Sequence, residues 1–99
     1  MAKNQEITTS EFYCTKCGRR GIPIARRIGS QREAGHLKKL YCLNCKEETN
    51  HVECKDFTHY TEEDFFFEFE NNNFDKNGKR ILPYGLFRDK MNKEGVVLP

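Results

Sequence analysis

The sequence predicts a small α+β domain: a three- to four-stranded antiparallel sheet organised around four cysteines, followed by a helical C-terminal segment. Three observations carry this. Two Cys-x-x-Cys pairs, Cys14-Thr15-Lys16-Cys17 and Cys42-Leu43-Asn44-Cys45, stand 24 residues apart, and each can place two thiolates on one side of a tight turn. Short segments of strand-like alternation flank both pairs. A Thr-x-x-Asp capping signal then opens a Phe-rich run after residue 60.

Taken in order, residues 1–10 are polar and expected to be flexible. Glu11-Phe12-Tyr13-Cys14 reads as a strand entering the first metal turn, and Gly18 supplies the positive φ that lets the backbone pass under a metal. Ile22 to Ile28 alternates as a strand, with Pro23 favouring its start or a sheet edge. Gly29-Ser30-Gln31 and Ala34-Gly35 carry turn chemistry. His36 to Tyr41 leads into the second metal turn, and Thr49 to Cys54 alternates and pairs back against it, Val52 and Cys54 facing the core and His51 facing out. Thr61 is the expected N-cap of a helix whose first turn holds Glu62, Glu63 and Asp64, where acids complement the helix dipole. Phe65, Phe66 and Phe69 recur at helical spacing, although Phe65, Phe67 and Phe69 also alternate as a strand would; the cap favours helix. Asn71-Asn72-Asn73 ends it, Asp75-Lys76-Asn77-Gly78 is a turn, and Leu86, Phe87 and Met91 mark a short second helix between Gly85 and Gly95.

Composition bounds the chemistry. In 99 residues, 36% are hydrophobic and 32% charged, a thin supply for a core, and chains of this size commonly rely on a staple. A bound metal supplies one, because its binding energy becomes folding energy when the unfolded chain has no site. Five cysteines, an odd number, with no signal-like start argue against a secreted disulfide framework and for a reducing, cytoplasmic setting. No apolar run approaches the roughly 20 residues needed to span a membrane. Net charge is divided: residues 1–46 hold ten Lys/Arg against three acids, a net of +7, and residues 47–99 hold seven against twelve, a net of −5. Such a chain can offer one face to a polyanion and another to a basic protein.

Cys14, Cys17, Cys42 and Cys45 are the expected ligands of one structural zinc ion. Iron takes the same sulfurs, and soft thiolates alone do not choose between them. Four sulfurs leave no open position for water, which excludes catalytic zinc, and a dithiol redox site needs a single pair in a βαβ setting. His51 is the one alternative ligand for that site, and His51, Cys54 and His59 together form at most an incomplete second one. The basic set Arg19, Arg20, Arg26, Arg27, Arg32, Lys38 and Lys39 lies between the metal turns and is either a phosphate-binding surface or an ordinary solvated one. Arg26 and Arg27 alternate along a strand, so the seven do not all share one patch. Tyr13 and Tyr41 each precede a metal turn, where an aromatic ring packs around the site or offers a stacking face to a base. No nucleophile–base constellation, phosphate-binding Gly loop or calcium loop is present.

The Cys14–Gly18 knuckle and the stretch from Cys42 to His51 resemble the zinc-ribbon superfamily over residues 12–54. Across its length the chain is similar to small zinc-ribbon proteins of bacteriophages of Gram-positive hosts. The resemblance implies a zinc ribbon, which the residues place over 11–57; the long basic insert and the acidic, Phe-rich helical segment over residues 58–99, expected to pack on the ribbon, depart from the family's pattern. The resemblance carries over the four cysteines as zinc ligands and no other residue. Ribbons of this kind commonly belong to nucleic-acid-associated proteins. The expectation is therefore a non-enzymatic protein binding RNA, DNA or a ribonucleoprotein through the basic set. The alternative is an interaction module, for instance a phage factor acting in the host cytoplasm, whose Glu62–Glu70 segment contacts a basic host protein.

Overall fold

Strand β1 (Ile7–Cys14) changes partner half-way along. Its first half, Ile7 to Ser10, pairs antiparallel with β2 (Ile24–Arg27), and its second half, Glu11 to Cys14, pairs with β4 (Glu47–Cys54). The far side of β4 is taken by β3 (Leu37–Cys42), giving a four-stranded antiparallel sheet in the order β2-β1-β4-β3. These elements come from a computed structural model that describes residues 7–27, 35–54 and 60–98, with side chains over 9–25, 35–54 and 60–98. Two helices follow, α1 (Glu62–Glu70) and α2 (Tyr84–Lys93). Arg32, His59, the expected turns at residues 29–31 and at Ala34, and the outermost N-terminal residues lie outside the described residues. Among the described residues, no helix is long and apolar enough to cross a membrane.

Two boundaries differ from the sequence reading. β1 begins at Ile7, so residues 7–10, expected to be flexible, are held in the sheet by β2. β2 begins at Ile24 rather than Ile22, because Arg20 to Pro23 form a separate arm. That arm touches β1 through a Tyr13–Arg20 bridge and the Gly21 N–H, which donates to the Phe12 carbonyl at 2.7 Å.

The register sorts side chains onto two faces. Tyr13, Val52, Cys54 and Leu37 share one, because directly paired residues of an antiparallel sheet point the same way. Helix α1 covers it: buried Phe65 joins Tyr13, Val52, Cys54 and Tyr60 in one cluster, with Phe66, Phe69 and Phe74 packed around them. Phe65 stacks on Tyr13 with ring centroids 5.1 Å apart. Phe67, on the other side of α1, meets Phe87 and Met91 of α2 in a second cluster. The helix is therefore covered on two sides, which is why its phenylalanines follow no single stripe. Its start is as expected: the Asp64 carboxylate accepts the Thr61 N–H at 2.8 Å, closing the capping box.

The second face corrects one reading. Phe12, Cys14, His51 and Glu53 lie on it, and His51 is buried rather than facing solvent. Gly21 accounts for part of this cover, since a Cβ at that position would sit 3.4 Å from the His51 ring. Alternation had separated the two faces of β4 correctly; it carried no information that both are covered. Burial pushes the His51 pKa down, against a smaller upward pull from the Thr49 carbonyl, which accepts its Nδ1–H at 3.0 Å. His51 is thus a neutral, internally bonded residue.

Candidate metal centre

Each cysteine pair sits at the end of a strand and turns back under itself in the same way. After Cys14, at the end of β1, the Gly18 N–H donates to the Cys14 carbonyl at 2.8 Å; after Cys42, at the end of β3, the Lys46 N–H donates to the Cys42 carbonyl at 2.7 Å. The residue following each pair has positive φ, +78° at Gly18 and +59° at Lys46. Backbone N–H groups also point at sulfur, from Lys16 to Cys14 and from Cys45 to Cys42, both at 3.4 Å. The two knuckles are local repeats of one structure, and β4 between them brings them face to face.

The four sulfurs lie within 4.8 Å of one another. Cys14 Sγ is 3.8 Å from Cys45 Sγ, and Cys17 Sγ is 3.7 Å from Cys42 Sγ. Metal–sulfur bonds of about 2.3 Å in a tetrahedron place sulfurs about 3.8 Å apart. The donor set therefore fits one tetrahedral metal ion, with no sulfur to spare and no position open to water. His51, on the sheet face that carries Cys14, is not part of the cluster.

Without a cation, Cys14 and Cys45 resist ionising. Burial raises the Cys14 pKa, and burial together with the neighbouring sulfurs of Cys42, Cys14 and Cys17 pushes Cys45 up to about 12. For Cys42, burial is outweighed by backbone N–H groups of Cys45 and Asn44 and by the Cys17 sulfur, which together lower it to about 7. A divalent cation would favour the thiolate form of the ligands it holds, against the rise that burial gives Cys14 and Cys45. Thr49 Oγ1, 3.0 Å from Cys14 Sγ, can donate to that sulfur as a thiolate.

The C-terminal part clasps the first knuckle. The Asp75–Gly78 turn, held by Asp75 Oδ1 accepting the N–H groups of Asn77 and Lys79, presents the Gly78 carbonyl to Thr15 Oγ1 at 2.7 Å and to Asn50 Nδ2 at 3.3 Å. The Phe69 ring lies over Gly18, where a Cβ would meet it at 2.8 Å. The knuckles thus make opposite predictions. Gly18→Ala meets both the positive φ and the Phe69 ring and should cost about 1–3 kcal/mol. Lys46→Gly relieves a strained φ on an exposed residue and should gain up to about 1 kcal/mol. Urea unfolding at fixed free-metal concentration checks both signs.

Of the predicted basic residues, the four whose side chains are described do not all share one face. Arg19 and Arg20 are exposed beside the metal end, and Arg20 reaches Glu11 at 3.0 Å. Lys38 and Lys39 are exposed on β3 and point to opposite faces of the sheet, opposite His51 and Asn50. Arg26 and Arg27 belong to β2, but their side chains lie outside the described residues, as does Arg32. Sequence reasoning missed a cleft of about 410 Å³ at the metal end. It is lined by Arg19, Arg20, Gly21 and Ile22 from one side and by Tyr41, Cys42, Leu43 and Asn44 from the other. Leu43 could have suggested it, since an apolar residue inside a Cys-x-x-Cys turn has no core to enter. In comparisons of this chain with known proteins, no family model, no curated protein and no solved structure matches.

Proposed function

We propose that this chain is a non-enzymatic zinc ribbon that binds nucleic acid or a ribonucleoprotein through the basic half of the molecule. Zinc is the favoured ion because a closed four-thiolate tetrahedron is the usual structural zinc site. Cys14, Cys17, Cys42 and Cys45 would hold it, and it would supply cross-linking rather than chemistry. The observation carrying the nucleic-acid reading is the charge division, +7 over residues 1–46, with Arg19 and Arg20 exposed beside the metal end and Lys38 and Lys39 exposed on β3. A loaded four-thiolate zinc centre carries about −2, so that half stays basic. Arg26, Arg27 and Arg32 belong to the same set by sequence.

Such binding is electrostatic and releases counterions, so its strength falls as salt rises. Anisotropy of labelled RNA and DNA across a salt series tests it: affinity should drop steeply and linearly on a log–log plot, and binding that is absent or insensitive to salt would remove the reading. A second reading, an interaction module such as a phage factor acting on host machinery, rests on exposed Glu62, Glu63 and Glu70. The aromatic residues of that segment are engaged inside the domain, which leaves it only charge to offer. A nuclease-resistant protein partner recovered from bacterial lysate would favour it.

A further inference from the structure

We propose that the cleft between residues 19–22 and the second knuckle receives unpaired bases of a single-stranded nucleic acid, with Tyr41 as the stacking platform and Arg19 and Arg20 holding the flanking phosphates. This rests on the nucleic-acid reading above and names the form of nucleic acid and the surface that reads it. Three of the six large apolar side chains exposed among the described residues belong to residues lining this cleft: Ile22 at 69%, Tyr41 at 58% and Leu43 at 71%. Single exposed apolar residues are ordinary; several gathered on one concavity mark a binding surface. At about 410 Å³ the cleft falls within the usual range for small ligands, roughly 300–1,000 Å³.

The lining decides the chemistry of the occupant. Two guanidinium groups beside an aromatic ring and two aliphatic side chains suit a partner offering both negative charge and apolar faces. A double helix presents phosphates and keeps its base faces stacked inside. An unpaired strand presents both at once, and base–aromatic stacking tolerates any sequence. Arg20 is paired with Glu11 on the exposed surface, a contact worth little in water and easily exchanged for phosphate. The contrast with Tyr13 sharpens the assignment. Both tyrosines precede a knuckle, but Tyr13 is 3% exposed under Phe65 while Tyr41, at the edge of the cleft, is 58% exposed. Tyr41 contributes nothing to either core cluster, so its exposure has no folding rationale.

The test uses metal-loaded full-length protein and short labelled oligopyrimidines against duplexes of matched length. The single strand should bind at least roughly tenfold more tightly at equal salt. Tyr41→Ala should weaken it about 5- to 100-fold without changing the salt slope, Tyr41→Trp should restore it, and Arg19→Ala should lower the slope by about 0.7. Metal content and circular dichroism confirm that each variant folds. Equal affinity for duplex and single strand, with Tyr41→Ala silent, overturns the cleft proposal while the basic-surface reading stands. Absence of any binding at low salt removes both. Methyl shifts at Ile22 and Leu43 induced by an acidic, leucine-rich peptide but not by oligonucleotides would assign the cleft to a protein and overturn the proposal.

Discussion

Cys14→Ser, or a strong chelator applied to the metal-loaded protein, should unfold the sheet and carry the C-terminal clasp with it. Structural four-thiolate zinc sites contribute about 10–16 kcal/mol of apparent binding energy at neutral pH, against a net stability of about 5–15 kcal/mol for an ordinary domain. The sheet has little else to replace that term. Cys14 is fully buried, and the sulfurs of Cys17, Cys42 and Cys45 crowd within 4.8 Å of its own. The effect should not stop at the knuckles, because Thr15 anchors the Asp75–Gly78 turn and Gly18 carries Phe69. Hydrogen exchange should therefore rise in β3, in β4 and around Gly78 together, with loss of strand signal in the far ultraviolet. The same competition between metal and protons makes affinity fall as pH drops, because each ligand must be a thiolate to bind. Full structure retained by Cys14→Ser, or by metal-free protein, would show that the sulfurs are a packing cluster and not a staple.

Arg80→Met should cost about 3–5 kcal/mol, read as a lower urea midpoint of the metal-loaded protein, because it strands a buried carboxylate. Glu68 is fully buried in α1 and belongs to one network. Its Oε1 accepts from the Tyr60 hydroxyl at 2.5 Å and from an Arg80 guanidinium nitrogen at 3.0 Å; its Oε2 accepts from Arg80 Nε at 2.6 Å and from the Asn73 amide at 2.5 Å. Arg80 also donates to the Gly35 carbonyl at 2.7 Å, and Asn73 bonds both backbone groups of Leu82. Three side chains thus meet at one carboxylate, and Arg80 ties it to the distant Gly35 segment. Removing both charges, Glu68→Gln with Arg80→Met, should cost less than the sum of the single changes, since the second substitution no longer leaves an uncompensated charge. Additive costs in that cycle would mean that the pair is not coupled in the folded protein.

The role of Glu68 was not legible in its neighbourhood. In Glu62-Glu63-Asp64-Phe65-Phe66-Phe67-Glu68-Phe69-Glu70 it looks like one more acid of a docking surface, yet Glu62, Glu63 and Glu70 are exposed and Glu68 is internal. The helix itself was legible, because its start depends on Thr61 and Asp64, three residues apart. The extent of β1 was not, because residues 7–10 are ordered by β2, which the chain reaches only after the first knuckle.

Sequence alone determined the knuckles, the strand order of hydrophobic and polar positions, and the capped helix. Each depends on residues a few positions apart, whose geometry is set by bond lengths, backbone sterics and local hydrogen bonds. Only the tertiary structure decided that His51 and Glu68 are interior, that Tyr13 is core while Tyr41 stands at a cleft, and that the four sulfurs meet at tetrahedral spacing. Those outcomes depend on which distant segment covers which face. Desolvation is a property of the assembled surfaces, and no local pattern of residues records it.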